Sequence, residues 1–224
     1  MKTVEIVGTG LSKVKAPYKD EVWGLNHDFK SYKRFDKWFD VHYTTILTMN
    51  FQENEYFDFL KANQEKLVLC EPEEYIAEFH ETREKFLPKS ELYPKEEAMK
   101  MFGRYFKSGI DYMIAYAIIN GYTDIGLYGV DLSDSVERWE QRRSLEHKIG
   151  YAQGLGINIH LPECCPLLKT SYMYGLETPD AVFSYLKEKK LELSQRILYT
   201  KDRETYMILS GALQQVEAIL NNWM

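Results

Sequence analysis

The stretch that decides the fold is Val4-Glu5-Ile6-Val7-Gly8-Thr9-Gly10-Leu11-Ser12. Its β-branched residues predict a buried strand, and the glycines that follow predict a sharp turn. Glycine lets a ligand approach the main chain, and the N–H groups of such a loop point at an anion. We therefore expect the first strand of a parallel sheet, followed by a phosphate site at Gly8, Thr9, Gly10, Leu11 and Ser12. The Ser12 side chain could instead cap a helix.

Composition narrows the class of protein. The 224 residues are 45% hydrophobic and carry a net charge of −6, which fits one sizeable folded core and argues against nucleic acid as a partner. No apolar run reaches the length of a membrane span, and the first residues do not follow the pattern of a signal peptide. Three cysteines, two of them adjacent, fit neither a disulfide framework nor a zinc site. We expect a cytoplasmic protein with no membrane contact and no metal.

Strands and helices alternate along the first three quarters of the chain. Hydrophobic patterning predicts strands at 3–7, 22–25, 35–41, 67–70, 125–131 and 157–161, and helices at 53–62, 108–120 and 136–153. Residues 71–94 are mixed and charged, and they read as a loop or a lid. The alternation predicts an α/β, Rossmann-like, doubly wound and mostly parallel sheet flanked by helices.

The C-terminal part of the chain has a different pattern. From Pro179 onward no strand signal remains, and two amphipathic helices are expected at 179–198 and 202–222. We therefore divide the chain into a Rossmann-like nucleotide-binding domain at 1–170 and a helical hairpin at 171–224. The hairpin is expected to serve as a homo-oligomerisation element.

Polar residues follow three of the predicted strands, where open parallel sheets collect their ligands. Asn26 could bond a base or a ribose, or it could be a turn residue. His42 could be catalytic, ligand-binding or structural. Asp131 could hold a ribose or act as a base, or it could cap the next helix.

Two further candidates lie on predicted helices. Ser108 and Gly109 open the strongest helix, whose free N–H groups form a second anion site unless Ser108 only caps the helix. In the charged helix, Arg143 could grip a phosphate and His147 could transfer a proton. The alternative is a solvated helix face, which is the interpretation we adopt for Lys148.

The order of these motifs resembles the bacterial sialyltransferases of the lipooligosaccharide type. It also resembles Rossmann-like proteins of the flagellin-modification and pterin-diphosphokinase type, and proteins of unknown function carried by tailed bacteriophages. The residues that carry the likeness are Gly8-Thr9-Gly10-Leu11-Ser12, Asn26, Ser108-Gly109 and Gly129-Val130-Asp131, and the likeness spans about residues 3–168.

The sialyltransferase resemblance implies a CMP-sugar donor and no required cofactor. Its phosphate would lie by residues 8–12, with Asn26 near the nucleotide and Ser108-Gly109 close by. The family's first loop usually reads Gly-Asn-Gly-Pro-Ser, whereas Thr9 and Leu11 stand here. Its catalytic base is a histidine beyond the Gly-(Ile/Val)-Asp strand, and His147 is the histidine nearest to that place.

Two functions remain open at this stage. The first is a phage-encoded, nucleotide-sugar-dependent glycosyltransferase, with His147 or Asp131 as the base. The second is a non-catalytic anti-defence protein that sequesters a nucleotide immune signal, which would need the pocket but no base.

Overall fold

The computed structural model describes residues 2–50, 54–132, 136–169, 173, 176 and 180–222. Seven strands form one sheet in the order β5-β4-β3-β2-β1-β6-β7, and every neighbouring pair is parallel. The strands are β1 (Thr3–Val7), β2 (Glu21–Leu25), β3 (Lys37–Asp40), β4 (Leu67–Leu69), β5 (Glu91–Leu92), β6 (Asp124–Tyr128) and β7 (Asn158–His160).

Eight α-helices accompany the sheet in the described residues. They are α1 (Tyr43–Leu47), α2 (Glu55–Ala62), α3 (Ile76–Phe86), α4 (Lys95–Phe102), α5 (Gly109–Ile119), α6 (Val136–Gly154), α7 (Asp180–Tyr199) and α8 (Arg203–Asn222). The α/β, Rossmann-like fold expected from the sequence is confirmed, and the sheet is parallel throughout.

Both faces of the sheet are buried, as a parallel sheet requires. On β3, Phe39 packs in a core cluster with α5 and α6, while its neighbour Trp38 packs in a second cluster with α2 and α3. On β4, Val68 joins the first cluster and Leu67 and Leu69 join the second. Successive residues of a strand point to opposite faces, so each short strand contributes to two hydrophobic layers.

The predicted strands are all present, although β3, β4, β6 and β7 are shorter than expected. Helix α5 begins after Ser108, which caps it in a complete capping box with Asp111, as the spacing predicts. The interpretation of residues 71–94 as a loop or lid is wrong, because α3 and β5 form there. Helices α1 and α4 were also not predicted.

The topological switch point of the sheet lies between β1 and β6, where the order in which successive strands are added changes side. The loop after β1 leads to β2 on one side, and the chain after β6 leads to β7 on the other. The two loops touch closely, because a Cβ atom added to Gly8 would lie 2.4 Å from the Gly129 carbonyl oxygen. Gly129 itself has a φ of +68°, in the left-handed region that favours glycine. These glycines therefore allow the two loops to pack together at the crevice where such folds bind ligands.

The described chain divides into two compact units, Met1–Leu168 and Lys169–Met224. The second unit is the hairpin of α7 and α8, in which Leu193 and Leu209 are buried while Tyr199 and Ile208 are exposed. Self-association through these helices stays a prediction. No helix in the described ranges combines the length and the apolarity needed to cross a bilayer.

We predict that replacing Gly8 by alanine lowers the free energy of unfolding by about 1–3 kcal/mol, because the new methyl group would overlap the Gly129 carbonyl. Gly150→Ala is the matched control. No atom lies within 4 Å of its added Cβ, and alanine is the better helix former, so this variant should gain up to about 1 kcal/mol. Urea unfolding of both variants measures the difference, and equal stability of the two would contradict the close packing of the loops.

Candidate functional site

A cavity of about 330 Å³ opens at the carboxyl edge of the sheet, beside the β1–β6 crevice. It is lined by the ends of β1, β2 and β6 and by the start of α5, which the fold brings together from distant parts of the sequence. The lining includes six residues that the sequence analysis singled out: Gly8, Thr9, Asn26, His42, Ser108 and Gly109. It also includes Lys107, Ile110, Leu132 and Gln141.

The first loop uses most of its amides to hold β6. The Gly8 N–H donates to the Tyr128 carbonyl at 2.7 Å, and the Gly10 N–H donates to the Gly129 carbonyl at 2.8 Å. The Ser12 N–H donates to Asp131 Oδ2 at 2.8 Å. The Thr9 amide has no such partner in the described part of the chain and lines the cavity. Of the five residues predicted to hold a phosphate, Thr9 therefore has the amide best placed to do so.

Ser12 is buried where the loop after β1 packs against the loop after β6. Its hydroxyl oxygen accepts a hydrogen bond from the Gly129 N–H at 2.8 Å, and the residue is 3% exposed. Leu11 is exposed on the 3₁₀ turn that follows, and neither Leu11 nor Gly10 lines the cavity. Contact of Gly10, Leu11 and Ser12 with a ligand stays a prediction.

The start of α5 forms the opposite wall. Ser108 Oγ accepts from the Asp111 N–H, and Asp111 Oδ2 accepts from the Lys107 and Ser108 N–H groups at 2.7 and 2.9 Å. Capping therefore uses the Ser108 side chain. The next two amides, of Gly109 and Ile110, have no hydrogen-bond acceptor among the described residues, and both residues line the cavity. These two N–H groups and the helix dipole favour an anion there.

Asn26 has an unusual backbone and an unpaired side chain. Its φ is +58°, and its N–H donates to the Phe39 carbonyl at 3.2 Å. Its buried Oδ1 atom has no hydrogen-bond partner within the described chain. Buried polar atoms normally have a partner, so an amide of this kind in a cavity wall suits a polar ligand. Leu132, on the same wall, also has a positive φ, of +44°, which is uncommon for a residue of its type.

His42 is supported from behind by a buried carboxylate. The His42 Nδ1 atom lies 3.4 Å from Asp40 Oδ1, and the backbone N–H of His42 donates to the same oxygen at 2.9 Å. The Tyr56 hydroxyl donates to Asp40 Oδ2 at 2.7 Å, and the Asp40 side chain is fully buried. Its interaction with Asp40 raises the pKa of His42 above its usual value of 6.5, while partial burial opposes the shift.

The described lining of the cavity has basic side chains and no acidic one, although the protein as a whole is acidic. The described lining contains Lys107 and His42, and no carboxylate side chain faces it from these residues. Lys107 Nζ lies 3.5 Å from Glu140 Oε2, in an exposed ion pair of the kind that contributes little in water. A ligand that carries negative charge is therefore the kind this cavity favours.

Three predicted site residues lie outside the lining. Asp131 holds the first loop through Oδ2, and its Oδ1 is buried without a partner in the described residues. Arg143 is on the exposed side of α6. His147 is also exposed, and its ring lies 5.7 Å from that of Tyr105. A catalytic role for Asp131 or His147 stays a prediction, as does a phosphate contact by Arg143.

Near the start of α5 are two buried charged side chains, Lys148 and Asp111, that the sequence analysis missed. Lys148 is fully buried, so the interpretation of this residue as part of a solvated face is wrong. Its ammonium donates to the Tyr105 carbonyl and lies over the ring of Phe106 at 4.1 Å. Burial lowers the pKa of Lys148, and the nearby Asp111 carboxylate opposes that shift. Burial in turn raises the pKa of Asp111, which also accepts from Ser144 Oγ at 2.7 Å.

Sequence reasoning missed Asp40 and Tyr56 as well. A signal for Asp40 was present, since it is an acid two residues before His42 and next to the last residue of a predicted strand. Nothing in the sequence pointed to Tyr56, because it reaches Asp40 only through the packing of α2 against β3. Three or more His, Cys, Asp or Glu side chains in an arrangement suited to a metal ion are not found among the described residues.

Solved structures with a similar fold are sialyltransferases. One is CstII from Campylobacter jejuni in complex with the substrate analogue CMP-3FNeuAc, with a TM-score of 0.50 and 19% identity, covering 84% of this chain and 99% of that chain. The same enzyme with cytidine-5'-monophosphate gives 0.50 and 20%, covering 84% and 100%. A point mutant of the α-2,3/8-sialyltransferase CstII gives 0.53 and 17%, covering 82% and 100%.

At this identity the likeness concerns the fold. No family model matches the chain. No curated protein matches it in sequence either.

We predict that Asp111→Ala lowers the free energy of unfolding by about 2 kcal/mol or more, because it removes the capping box and leaves the Lys107 and Ser108 N–H groups and the buried Ser144 hydroxyl without their acceptor. Asp58→Ala is the control, since Asp58 is an exposed acid in the first turn of α2 whose pair with Lys61 is 3.5 Å long. The control variant should lower the free energy of unfolding by only a few tenths of a kcal/mol, which is about the contribution of an exposed ion pair. Chemical unfolding monitored by tryptophan fluorescence gives both values, and a cost for Asp111→Ala no larger than the control's would refute the stabilising role of Asp111.

Proposed function

We propose that the protein binds a nucleotide sugar in the cavity beside the β1–β6 crevice and transfers its glycosyl group, as sialyltransferases do. The phosphate would lie against the Thr9, Gly109 and Ile110 amides, near Lys107. The nucleoside would lie toward Asn26. A cytidine-monophosphate sugar is the first candidate, because the structures of similar fold hold CMP-3FNeuAc and cytidine-5'-monophosphate.

The observation that carries this proposal is the charge of the cavity. An acidic chain of net charge −6 has at this edge a described lining with two basic side chains and no acidic one. Three residues whose amides have no partner in the described chain line the cavity from two different elements, the first loop and α5. Amides at a helix N-terminus and in a glycine-rich loop bind phosphate in many nucleotide-binding folds.

The size and polarity of the cavity agree with a nucleotide. Its volume of about 330 Å³ lies near the lower end of the range for small-molecule sites, roughly 300–1,000 Å³. Asn26 lines the cavity, and its buried, unpaired Oδ1 would become an acceptor for the exocyclic amine of a base or for a ribose hydroxyl if the side chain turned toward the ligand. Hydrophobic lining from Leu25 and Val130 would contact the apolar faces of the ligand.

A second candidate function is sequestration of a nucleotide without turnover. It is favoured by the position of His147 and Asp131, the two predicted bases, neither of which lines the cavity. A phage-encoded anti-defence protein that captures a nucleotide signal would have this property. Phage origin and a cytoplasmic location are parts of this proposal that rest on the sequence alone.

Two measurements separate the candidates. Calorimetric titration with CMP tests for the nucleotide site, and mass spectrometry after incubation with CMP-N-acetylneuraminic acid tests for turnover, with and without a set of sugar acceptors. Binding of CMP with formation of free CMP or a sialylated product supports the transferase. Binding with recovery of the intact donor supports sequestration, and no binding of CMP refutes the nucleotide site on which both candidates rest.

We predict that Lys107→Met weakens CMP binding by about tenfold, the value of one charge-assisted hydrogen bond to phosphate. Lys100→Met is the control, because Lys100 is an exposed lysine on α4 that does not line the cavity. Titration calorimetry of the two variants gives the affinities. Equal affinities would place the phosphate elsewhere.

We also predict that Asn26→Gly weakens CMP binding while the fold is retained. Glycine tolerates the φ of +58° at this position, so the substitution removes the unpaired amide and leaves the backbone unstrained. Calorimetry gives the affinity and a thermal melt reports the fold. An unchanged CMP affinity in the folded variant would remove Asn26 from the site.

A further inference from the structure

We propose that His42 is the proton acceptor of this site and that Asp40, itself held by Tyr56, is its positioning residue. The proposal rests on the function proposed above, and it assigns the base to a residue for which the sequence left a catalytic, a ligand-binding and a structural role open. The assignment comes from a chain of three side chains that begins in the interior and ends at the cavity.

In this series of three side chains, the interior end, Tyr56, is fixed by packing. Tyr56 is 4% exposed, and its hydroxyl oxygen accepts from Trp38 Nε1 at 3.3 Å while donating to Asp40 Oδ2 at 2.7 Å. The His27 ring lies 4.0 Å from the Tyr56 ring, centroid to centroid. A hydroxyl with both roles filled has one orientation, so the Asp40 carboxylate is held in one orientation as well.

The outer end of the series, His42, lines the cavity. Asp40 Oδ1 lies 3.4 Å from His42 Nδ1, and the imidazole is half exposed and lines the cavity wall. A proton on Nδ1 is favoured by the carboxylate, which leaves Nε2, on the far side of the ring, with a free lone pair. A nucleophile or base oriented by a third buried group is the arrangement expected of an activated catalytic histidine.

The charged groups around the imidazole suit the role. Asp40 faces it from β3, Lys107 lines the same cavity from the segment before α5, and Tyr56 and His27 contact Asp40 or each other behind it. The Asp40 carboxylate raises the pKa of His42 from its usual value, and partial burial of the imidazole opposes this shift. A base that titrates near neutral pH is the most effective kind.

The neighbours of His42 border a second cavity, of about 240 Å³. Val41 and Tyr43 line it, together with Glu71, Lys95 and Arg104. Its polar side chains and rings suit a hydroxyl-bearing molecule. A sugar acceptor that enters from this side would bring its hydroxyl to the segment that carries His42.

The proton transfer is then simple to state. The acceptor hydroxyl oxygen forms a bond to the anomeric carbon of the donor as the bond from that carbon to the phosphate oxygen breaks. The phosphate leaves with the electron pair of the broken bond, as the nucleoside monophosphate. The hydroxyl proton passes to His42 Nε2, and the imidazolium releases it to water after the products leave.

The test uses three variants of the full chain, His42→Gln, His42→Ala and Asp40→Asn, with His160→Gln as the control. His160 is an exposed histidine 3.5 Å from Asp124 on another strand and does not line the cavity. We measure CMP affinity by calorimetry, turnover of CMP-N-acetylneuraminic acid across pH, and the His42 pKa by imidazole NMR. Thermal melts report whether each variant is folded.

We expect His42→Gln to bind CMP while its turnover falls by about a hundredfold or more, the usual value of a general base. Added imidazole should restore part of the turnover of His42→Ala. In Asp40→Asn the His42 pKa should fall, so the acid limb of the turnover profile should move to lower pH. The control should match the wild type in all three measurements.

The results that overturn the proposal differ from those that overturn the proposed function. If wild type does not bind CMP, the nucleotide site itself is refuted. If wild type binds and turns over the donor but His42→Gln does so at the wild-type rate, His42 is not the base and the transferase stands. If wild type binds CMP and no donor is consumed, the protein sequesters its ligand, and the assignment of His42 as a base is refuted.

Discussion

The packing of the loop after β1 against the loop after β6 is the constraint on which the site depends. Gly8 and Gly129 pass so closely that either could accept a Cβ atom only if the backbone moved. Two hydrogen bonds between residues more than one hundred positions apart join the same loops, from the Gly129 N–H to Ser12 Oγ and from the Ser12 N–H to Asp131 Oδ2. Because these groups hydrogen-bond to each other, few backbone amides of the two loops remain for a ligand, and the positions of those amides are fixed.

This arrangement changes the meaning of the glycine motif. A glycine-rich turn after a first strand is usually explained by the approach of a phosphate to the main chain. Here the structure accounts for Gly8 and Gly10 by the approach of another loop of the same protein. Of the five residues of the first loop that were predicted to hold a phosphate, Thr9 is the one in the proposed site, together with Gly109 and Ile110 on α5.

Local sequence patterns predicted much of the fold. The rule that open parallel sheets bind ligands at the carboxyl ends of their strands predicted much of the cavity. Helix α5 was predictable because its capping box lies within four residues, Ser108 to Asp111. The convergence of Gly8, Asn26 and His42 was predictable because parallel strands bring their carboxyl ends to one edge. Strand β5 was not, since its two residues are defined only by pairing with Val68 and Leu69. Lys148 and the Asp40–Tyr56 pair were missed for the same reason, because their partners come from distant helices and loops.

The central claim is that a phosphate binds at the amides of Thr9, Gly109 and Ile110. Titration of ¹⁵N-labelled protein with CMP, followed by amide chemical shifts, tests it most directly. We expect the largest changes at these three amides and at Asn26, with smaller changes elsewhere. Changes confined to the second cavity, around Lys95 and Tyr112, or no changes at saturating CMP, would contradict it.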